Sequence, residues 1–451
     1  MAPGASCAQD FSHLDDVLGN MPFVRRYIVL CLFFELDGVT NNQVENALVE
    51  ALGSLNTAFP HLAGRVVIDG MRPGNSGICR IVAYKDSTPL ITKDLTTKTN
   101  IPSFSQLHNA GFPFSMLDAD VLAPPIASTW DQDHGPDQIA PVLILQANFI
   151  TGGLILTFNG NHTMMDMTGL GLVISLFSKA CRNEPFSEED LRLGNQPKRS
   201  VVPLLGDDYR PGTELDTVFI DPSNTFAAPS TPLRWAYWNF SAHSLARLKD
   251  QASKQTTVSY ITTDDAIGAL CWQRVAKARQ ARLGDGVKSY FARPCSMRKY
   301  LGLQGYIGHM VDTLFVDEVD VWSQPLCEVA ASLRKMLQQD EEIVHHVRAV
   351  ATMLSRLDDR SVMINGAHLD PNRDIVLSSY ANIKCCQQSY GPFLGQAHAA
   401  RRPKMPAWPS LCYLMPRATD GGMALAMCMS EDDLTTLRED EVLKSFAEYV
   451  G

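Results

Sequence analysis

The chain has 451 residues, 45% of them hydrophobic and 20% charged, with a formal net charge of −10. That length exceeds the roughly 250–300 residues at which one hydrophobic core tends to split, so two domains are expected, and the composition excludes a disordered chain. The acidic balance argues against a general nucleic-acid binder while leaving room for a local basic pocket that takes an anionic cofactor.

Met1 to Asp10 is small and polar, without the basic start and apolar core of a secretory signal. The apolar run Tyr27 to Phe34 is only about half a membrane span, and Asp37-Gly38 ends it, so it reads as a core strand and no membrane partner is expected. Thr40, Asn41 and Asn42 offer caps for an amphipathic helix through Val44, Leu48, Leu52 and Leu55, which Pro60 terminates. Strands follow at Val66 to Ile68 and Ile78 to Tyr84. From Lys85 to Pro141 the pattern is irregular and reads as a long loop covering a ligand or lining an entrance. Val142 to Phe149 and Leu154 to Phe158 form a hairpin around Thr151-Gly152-Gly153, and a helix runs from Leu170 to Ala180.

Six prolines punctuate Gln196 to Arg234, which makes this the best linker in the chain. The expected division is 1–205, a linker or crossover at 206–232, and 233–451. The second half opens with a strand, Trp235 to Phe240, then a helix capped by Ser241 and another capped by Thr262 or Thr263. A strand ends at Phe291-Ala292-Arg293-Pro294, and helices are expected near Leu326 to Leu337 and Glu341 to Leu357. Ile375 to Ser379 is a further strand. Ser410 to Met415 and Met423 to Met429 make a closing hairpin before a last helix capped by Ser430.

Eleven cysteines are scattered without a Cys-x-x-Cys pair, which fits reduced, mostly buried thiols in a cytoplasmic protein. His345 and His346 are adjacent on one helix and cannot converge, and no other cluster has ligand spacing, so no metal is expected. No Gly-x-Ser-x-Gly elbow is present, which removes a serine-hydrolase reading.

The chemistry centres on Asn161-His162-Thr163-Met164-Met165-Asp166, placed between the hairpin's second strand and the following helix. An imidazole there can remove a proton near neutral pH, which a hydroxyl or amine attacking an activated acyl group requires. Asp166 can steer the ring or cap the turn. A bland alternative is a core histidine at a strand end, and His-x-x-x-Asp alone does not decide.

The wider pattern resembles the BAHD family of coenzyme-A-dependent acyltransferases, and within it the fungal trichothecene 3-O-acetyltransferases. The likeness rests on Phe59-Pro60-His61-Leu62-Ala63-Gly64-Arg65, on Asn159-Gly160-Asn161-His162 leading to Asp166, and on Thr262-Thr263-Asp264-Asp265-Ala266. Ala292-Arg293-Pro294, Leu377-Ser378-Ser379 and Arg401-Arg402-Pro403 extend it. The resemblance implies an α/β mixed fold of two similar chloramphenicol-acetyltransferase-like domains with a central channel. It makes His162 the catalytic base and Asp166 a local organiser. Acyl-CoA, acetyl-CoA first, is the implied co-substrate and a small alcohol the acceptor, with a monomer expected.

Arg298, Lys299, Ser378, Arg401, Arg402 and Lys404 are candidates for the anionic cofactor, because arginine and lysine bind phosphates through charge-assisted bonds. Tyr380, Tyr390 and His309 are candidates for the acceptor side. Two departures stand out. The family's second signature, Asp-Phe-Gly-x-Gly, reads Ser389-Tyr390-Gly391-Pro392-Phe393, and His309 stands where asparagine is usual. Arg293 therefore needs a partner other than the missing aspartate: solvent, Ser389 or another carboxylate. The expected function is acylation of a hydroxyl on a fungal secondary metabolite such as a trichothecene-like terpenoid. The alternatives are an N-acyltransferase, a carrier-protein-dependent acyltransferase, and a relative turned cyclase or binding protein.

Overall fold

The structure, a computed structural model, describes residues 11–84, 87–125, 140–197 and 200–451. Its strands in chain order are β1 (Tyr27–Glu35), β2 (Arg65–Asp69), β3 (Ile78–Val82), β4 (Leu90–Asp94), β5 (Ala140–Pro141), β6 (Leu143–Ile150), β7 (Gly153–Asn161) and β8 (Leu233–Phe240). There follow β9 (Lys288–Ser296), β10 (Val311–Val319), β11 (Ile375–Ser379), β12 (Ala399–Arg401), β13 (Leu411–Leu414), β14 (Met423–Ser430) and β15 (Glu448–Tyr449). They build a five-stranded sheet in the order β12-β1-β7-β6-β4, a seven-stranded sheet in the order β10-β9-β11-β13-β14-β8-β15, and a small sheet β3-β2-β5.

Eight consecutive residues of β1, Tyr27 through Phe34, are buried. A strand covered on both faces reads as an unbroken apolar run because neither set of alternating side chains meets water. The helix Asn41–Ala58 starts on a capping box between Thr40 and Gln43 and packs against the helix Met167–Cys181. Strands β1 and β7 run antiparallel from Tyr27 opposite Asn161 to Glu35 opposite Gly153. That register delivers the end of β7, and with it His162, beside the start of β1.

The two halves are not separable by one cut at 206–232. Strand β12, from the second half, closes the edge of the first sheet, pairing Arg401, Ala400 and Ala399 with Cys31, Leu32 and Phe33. Tyr380, Ile383, Cys385 and Tyr390 likewise belong to the first core. The proline-punctuated stretch is held down as well: Leu215 and Val218 pack with Met297, Tyr306, Ile343 and Val347.

The stretch read as loop between Lys85 and Pro141 holds β4 and the helices Phe104–Asn109 and Ala119–Leu122, while its residues 85–86 and 126–139 lie outside the described residues. Strand β4 is five residues long and pairs in parallel only with β6 at the sheet edge, so its own pattern is short and half-exposed. Strands β10 and β15 and the helix Glu188–Gly194 are likewise additions to the expected elements. The last helix is two, Glu431–Glu439 and Glu441–Lys444, because Asp440 ends the first and caps the second.

Candidate active site

The loop after β7 is shaped by its own side chains. Asn161 Oδ1 accepts from the Thr163 amide and hydroxyl at 3.2 and 2.8 Å, while the Asn161 carbonyl accepts from the amides of Met164 and Met165. This local closure is the ordinary use of asparagine at a turn. The His162 amide donates to the Arg26 carbonyl at 2.8 Å, tying the loop to the chain entering β1. Gly19 packs so close to the loop that a Cβ there would lie 1.9 Å from the Thr163 carbonyl oxygen.

Within the loop, His162 Nδ1 lies 3.0 Å from the Met165 carbonyl oxygen. A carbonyl only accepts, so Nδ1 carries the proton and Nε2 presents its lone pair. Burial, then the nearby His309, push the His162 imidazole down to about 3, so the ring is neutral near pH 7.

Asp166 makes no hydrogen bond to that ring; it is the pin of the site. Its Oδ1 caps the helix Met167–Cys181 by accepting from the Gly169 amide at 2.7 Å. Arg298 grips both its oxygens, Nη1 to Oδ2 at 2.7 Å and Nη2 to Oδ1 at 3.0 Å, and the Met310 amide donates to Oδ2 at 2.7 Å. Burial alone would raise this carboxyl, but the Arg298 guanidinium and the donated bonds hold it below the usual carboxylate range. The remaining Arg298 nitrogen contacts go to Ser296 Oγ and to the carbonyls of Tyr306 and Gly308. One ion pair therefore joins the helix of the first half to the short helix Arg298–Leu301 of the second. Gly169 is required at that junction, since a Cβ there would lie 2.0 Å from the Ile307 carbonyl oxygen.

His162, Asp166, His309, Ser378, Tyr380 and Arg402 line one cavity of about 420 Å³ between the two halves. The His162 and His309 rings lie 4.9 Å apart, centroid to centroid. On the opposite wall Arg402 is buried, with Nη1 3.1 Å from the Tyr380 hydroxyl and its guanidinium 4.5 Å from the Tyr413 ring centre. Its Nε has no partner, and no carboxylate pairs with it among the described residues.

Five expected site residues do not line this cavity, exposed Lys404 among them. Arg298 is spent on Asp166 and its neighbours, so it has no free face for a phosphate. Arg401 is buried in β12, bonded to Asn239 Oδ1 and the carbonyls of Ala400 and Gly111. Lys299 is exposed, its amine 4.8 Å from the Tyr300 ring centre, and it does not line the cavity. Tyr390 is buried in the first core, donating to the Cys385 carbonyl and meeting the Phe34 ring edge-on.

The lost second-signature carboxylate also has an answer. Arg293 pairs with Asp265 at 2.9 Å, and Asp265 simultaneously takes Arg334 Nε at 2.9 Å and forms a capping box with Thr262. Of the open alternatives, a different carboxylate is the one observed. The Thr262-Thr263-Asp264-Asp265 run could have suggested it, but the spacing alone does not separate cap from ion pair. Asp265→Ala is expected to lower stability by about 3–5 kcal/mol, because two buried guanidinium groups lose their carboxylate. Ser389→Ala should cost far less in the same denaturant titration, since Ser389 takes part through its carbonyl.

The two large sheets and the cavity between the halves, with a neutral histidine at its wall, fit an acyltransferase. The comparisons agree. Residues 116–443 match the family described as "Transferase family", and residues 26–181 match the "Trichothecene 3-O-acetyltransferase-like N-terminal domain". The chain belongs to this BAHD-type transferase family and is an acyltransferase. It is similar to O-acetyltransferase dmxR13 of Cryptosporiopsis sp., 37% identical with 97% of this chain and 98% of that one covered. It is also 35% identical to trichothecene 3-O-acetyltransferase TRI101 of Fusarium sporotrichioides, with both chains covered in full. The crystal structure of that enzyme with coenzyme A and T-2 superposes with a TM-score of 0.89 over 97% of this chain and 99% of that one.

Proposed function

We propose that this acyl-CoA-dependent O-acyltransferase moves an acetyl group onto a hydroxyl of a fungal secondary metabolite, a trichothecene-like terpenoid being the first class to try. The observation that carries the reading is the lone pair of His162 Nε2, held by the Nδ1 bond to Met165 at the wall of the interdomain cavity. The relatives named above, an O-acetyltransferase and a trichothecene 3-O-acetyltransferase, support the acetyl and terpenoid parts.

In the proposed step the acceptor hydroxyl gives its proton to His162 Nε2 as its oxygen attacks the thioester carbonyl carbon. The tetrahedral oxyanion collapses, the C–S bond breaks, and the CoA thiolate takes the proton back from the imidazolium. Asp166 holds the loop and helix in place. Arg402, a buried cation without a carboxylate, together with Ser378 and Tyr380, offers the wall for the anionic or polar part of acyl-CoA. A monomeric cytoplasmic enzyme is the accompanying reading. It draws support from the described cysteines, all of which are free thiols. Among the described residues no helix is long and apolar enough to cross a membrane.

The test is thiol release from a panel of acyl-CoAs with trichothecene and other fungal alcohols as acceptors. Acetyl-CoA with a hydroxylated terpenoid should give release and an ester product. No release with any pair would overturn the reading.

The pH profile gives a second check. Because the His162 imidazole is depressed in the folded protein, the acid limb of kcat/KM is expected well below the ordinary value of about 6.5. The same shift has a stability sign. As pH falls below about 6.5 the unfolded chain takes up this proton first, so the contribution from His162 is lost between there and the folded-state value. An acid limb at 6.5 or above would contradict the neutral imidazole.

A further inference from the structure

His309 is not needed by the acyl-transfer step just described, yet it is buried and lines the cavity beside His162. Its amide donates to Asp16 Oδ2 at 2.8 Å, and its Nδ1 lies 2.8 Å from the His162 carbonyl oxygen. The same rule that settled His162 settles this ring. A carbonyl accepts only, so Nδ1 carries the hydrogen, and in the neutral imidazole Nε2 keeps the lone pair.

Two neighbouring imidazoles are therefore each locked by a backbone carbonyl into the Nδ1–H tautomer. Neither Nε2 has a hydrogen-bond partner among the described residues. An acceptor with a single hydroxyl can engage the His162 nitrogen and leaves the His309 nitrogen, which faces the cavity, without a donor from the substrate, so one hydrogen bond is forgone. Ring centres only 4.9 Å apart can both be satisfied by one molecule bearing two hydroxyls on adjacent or nearly adjacent carbons, each donating at about 2.8 Å.

We infer that His309 is a specificity-determining residue that reads a second hydroxyl next to the one acylated, so that the substrate class is a cyclic alcohol carrying a 1,2- or 1,3-related diol. This rests on the acyl-transfer reading above. In the transfer, the hydroxyl nearer His162 loses its proton and forms the ester, while the hydroxyl on His309 keeps its proton and donates it throughout. A site that supplies an acceptor for a substrate hydroxyl discriminates against the analogue lacking it, because the protein group is then left unpaired.

Equilibrium binding of cis-1,2-indanediol and of 2-indanol to the full-length protein tests the inference without relying on turnover. The diol is expected to bind about tenfold more tightly, the size of one well-made hydrogen bond in a dry site. The informative variant is His309→Asn. Its amide keeps a donor for the His162 carbonyl but has no acceptor at the ε position. The ratio of the two affinities should fall toward one in that variant, whereas a merely structural His309 would leave the ratio as it was. Equal affinities in the wild type, no measurable diol binding, or a ratio preserved in His309→Asn would each overturn the proposal. Thiol release from acetyl-CoA is measured alongside. Transfer without any diol preference sinks the inference and spares the acyltransferase reading, while a diol preference with no transfer to any alcohol does the reverse.

Discussion

Replacing His162 with alanine is expected to lower acceptor-dependent thiol release by about 10²–10⁴-fold, the range that a positioned general base contributes. The loss should appear in kcat, because the imidazole's contribution grows as the hydroxyl proton moves, and should change KM for acyl-CoA little. Stability should barely respond. The side chain is half-buried against the cavity and its hydrogen bond goes to the Met165 carbonyl, so removal costs about 0.5–1.5 kcal/mol. Circular dichroism and thermal unfolding on the same preparation separate the two effects. Robust turnover by a folded His162→Ala protein would end the assignment of this residue as the base.

Asp166→Ala has the opposite profile. It removes the cap of the Met167–Cys181 helix, frees the Met310 amide and leaves Arg298 buried without its carboxylate. Breaking a buried pair from one side costs about 3–5 kcal/mol, mostly from the charge left behind, and the lost cap adds about 1 kcal/mol. Denaturant midpoints should fall accordingly, and activity should fall with them because Arg298 also holds the carbonyls of Tyr306 and Gly308, next to His309. The double variant Asp166→Leu, Arg298→Met should recover a large part of the stability, since no charge is then stranded. A loss below about 1 kcal/mol for Asp166→Ala would mean that the pair behaves as an exposed one, contrary to its burial.

If both results are as expected, the two variants divide the motif by function: histidine for chemistry, aspartate for assembly. That division bears on how much could be read beforehand. The elements with strong local signals were legible, because burial on both faces or capping chemistry leaves a mark in adjacent residues. Strand β11 is Ile375–Ser379 as the apolar run suggests, and Thr262, Ser241 and Ser430 cap the helices expected of them. The elements that were not legible are short and owe their form to distant partners. The three residues of β12 become a strand only because β1 offers its edge. Strand β15 is two residues long and exists by pairing with β8.

The site shows the same split. A histidine at the end of an apolar strand, followed four residues later by aspartate, does not by itself mark a reactive loop; the surrounding motifs are what point to acyl transfer. Basic residues are another matter. Arg298, Arg401 and Arg402 look alike in a sequence, as charges near small clusters. Folding gives the first to Asp166 and the second to Asn239 and nearby carbonyls, and leaves the third facing the cavity beside Tyr380. Charge type is local, but whether a charge is spent or free depends on which carboxylate the fold brings to it.

By itself, then, the sequence determined the order of most strands and helices, the candidate base, and the family of the chain, since each rests on neighbouring residues or on motif spacing. The tertiary structure alone decided that Asp265 pairs with Arg293, that Asp166 and Arg298 join the two halves, and that His309 stands ring to ring with His162. Those are meetings between residues 28, 132 and 147 positions apart. Only the packing of the two sheets sets which buried groups find partners and which lone pairs remain to meet a substrate.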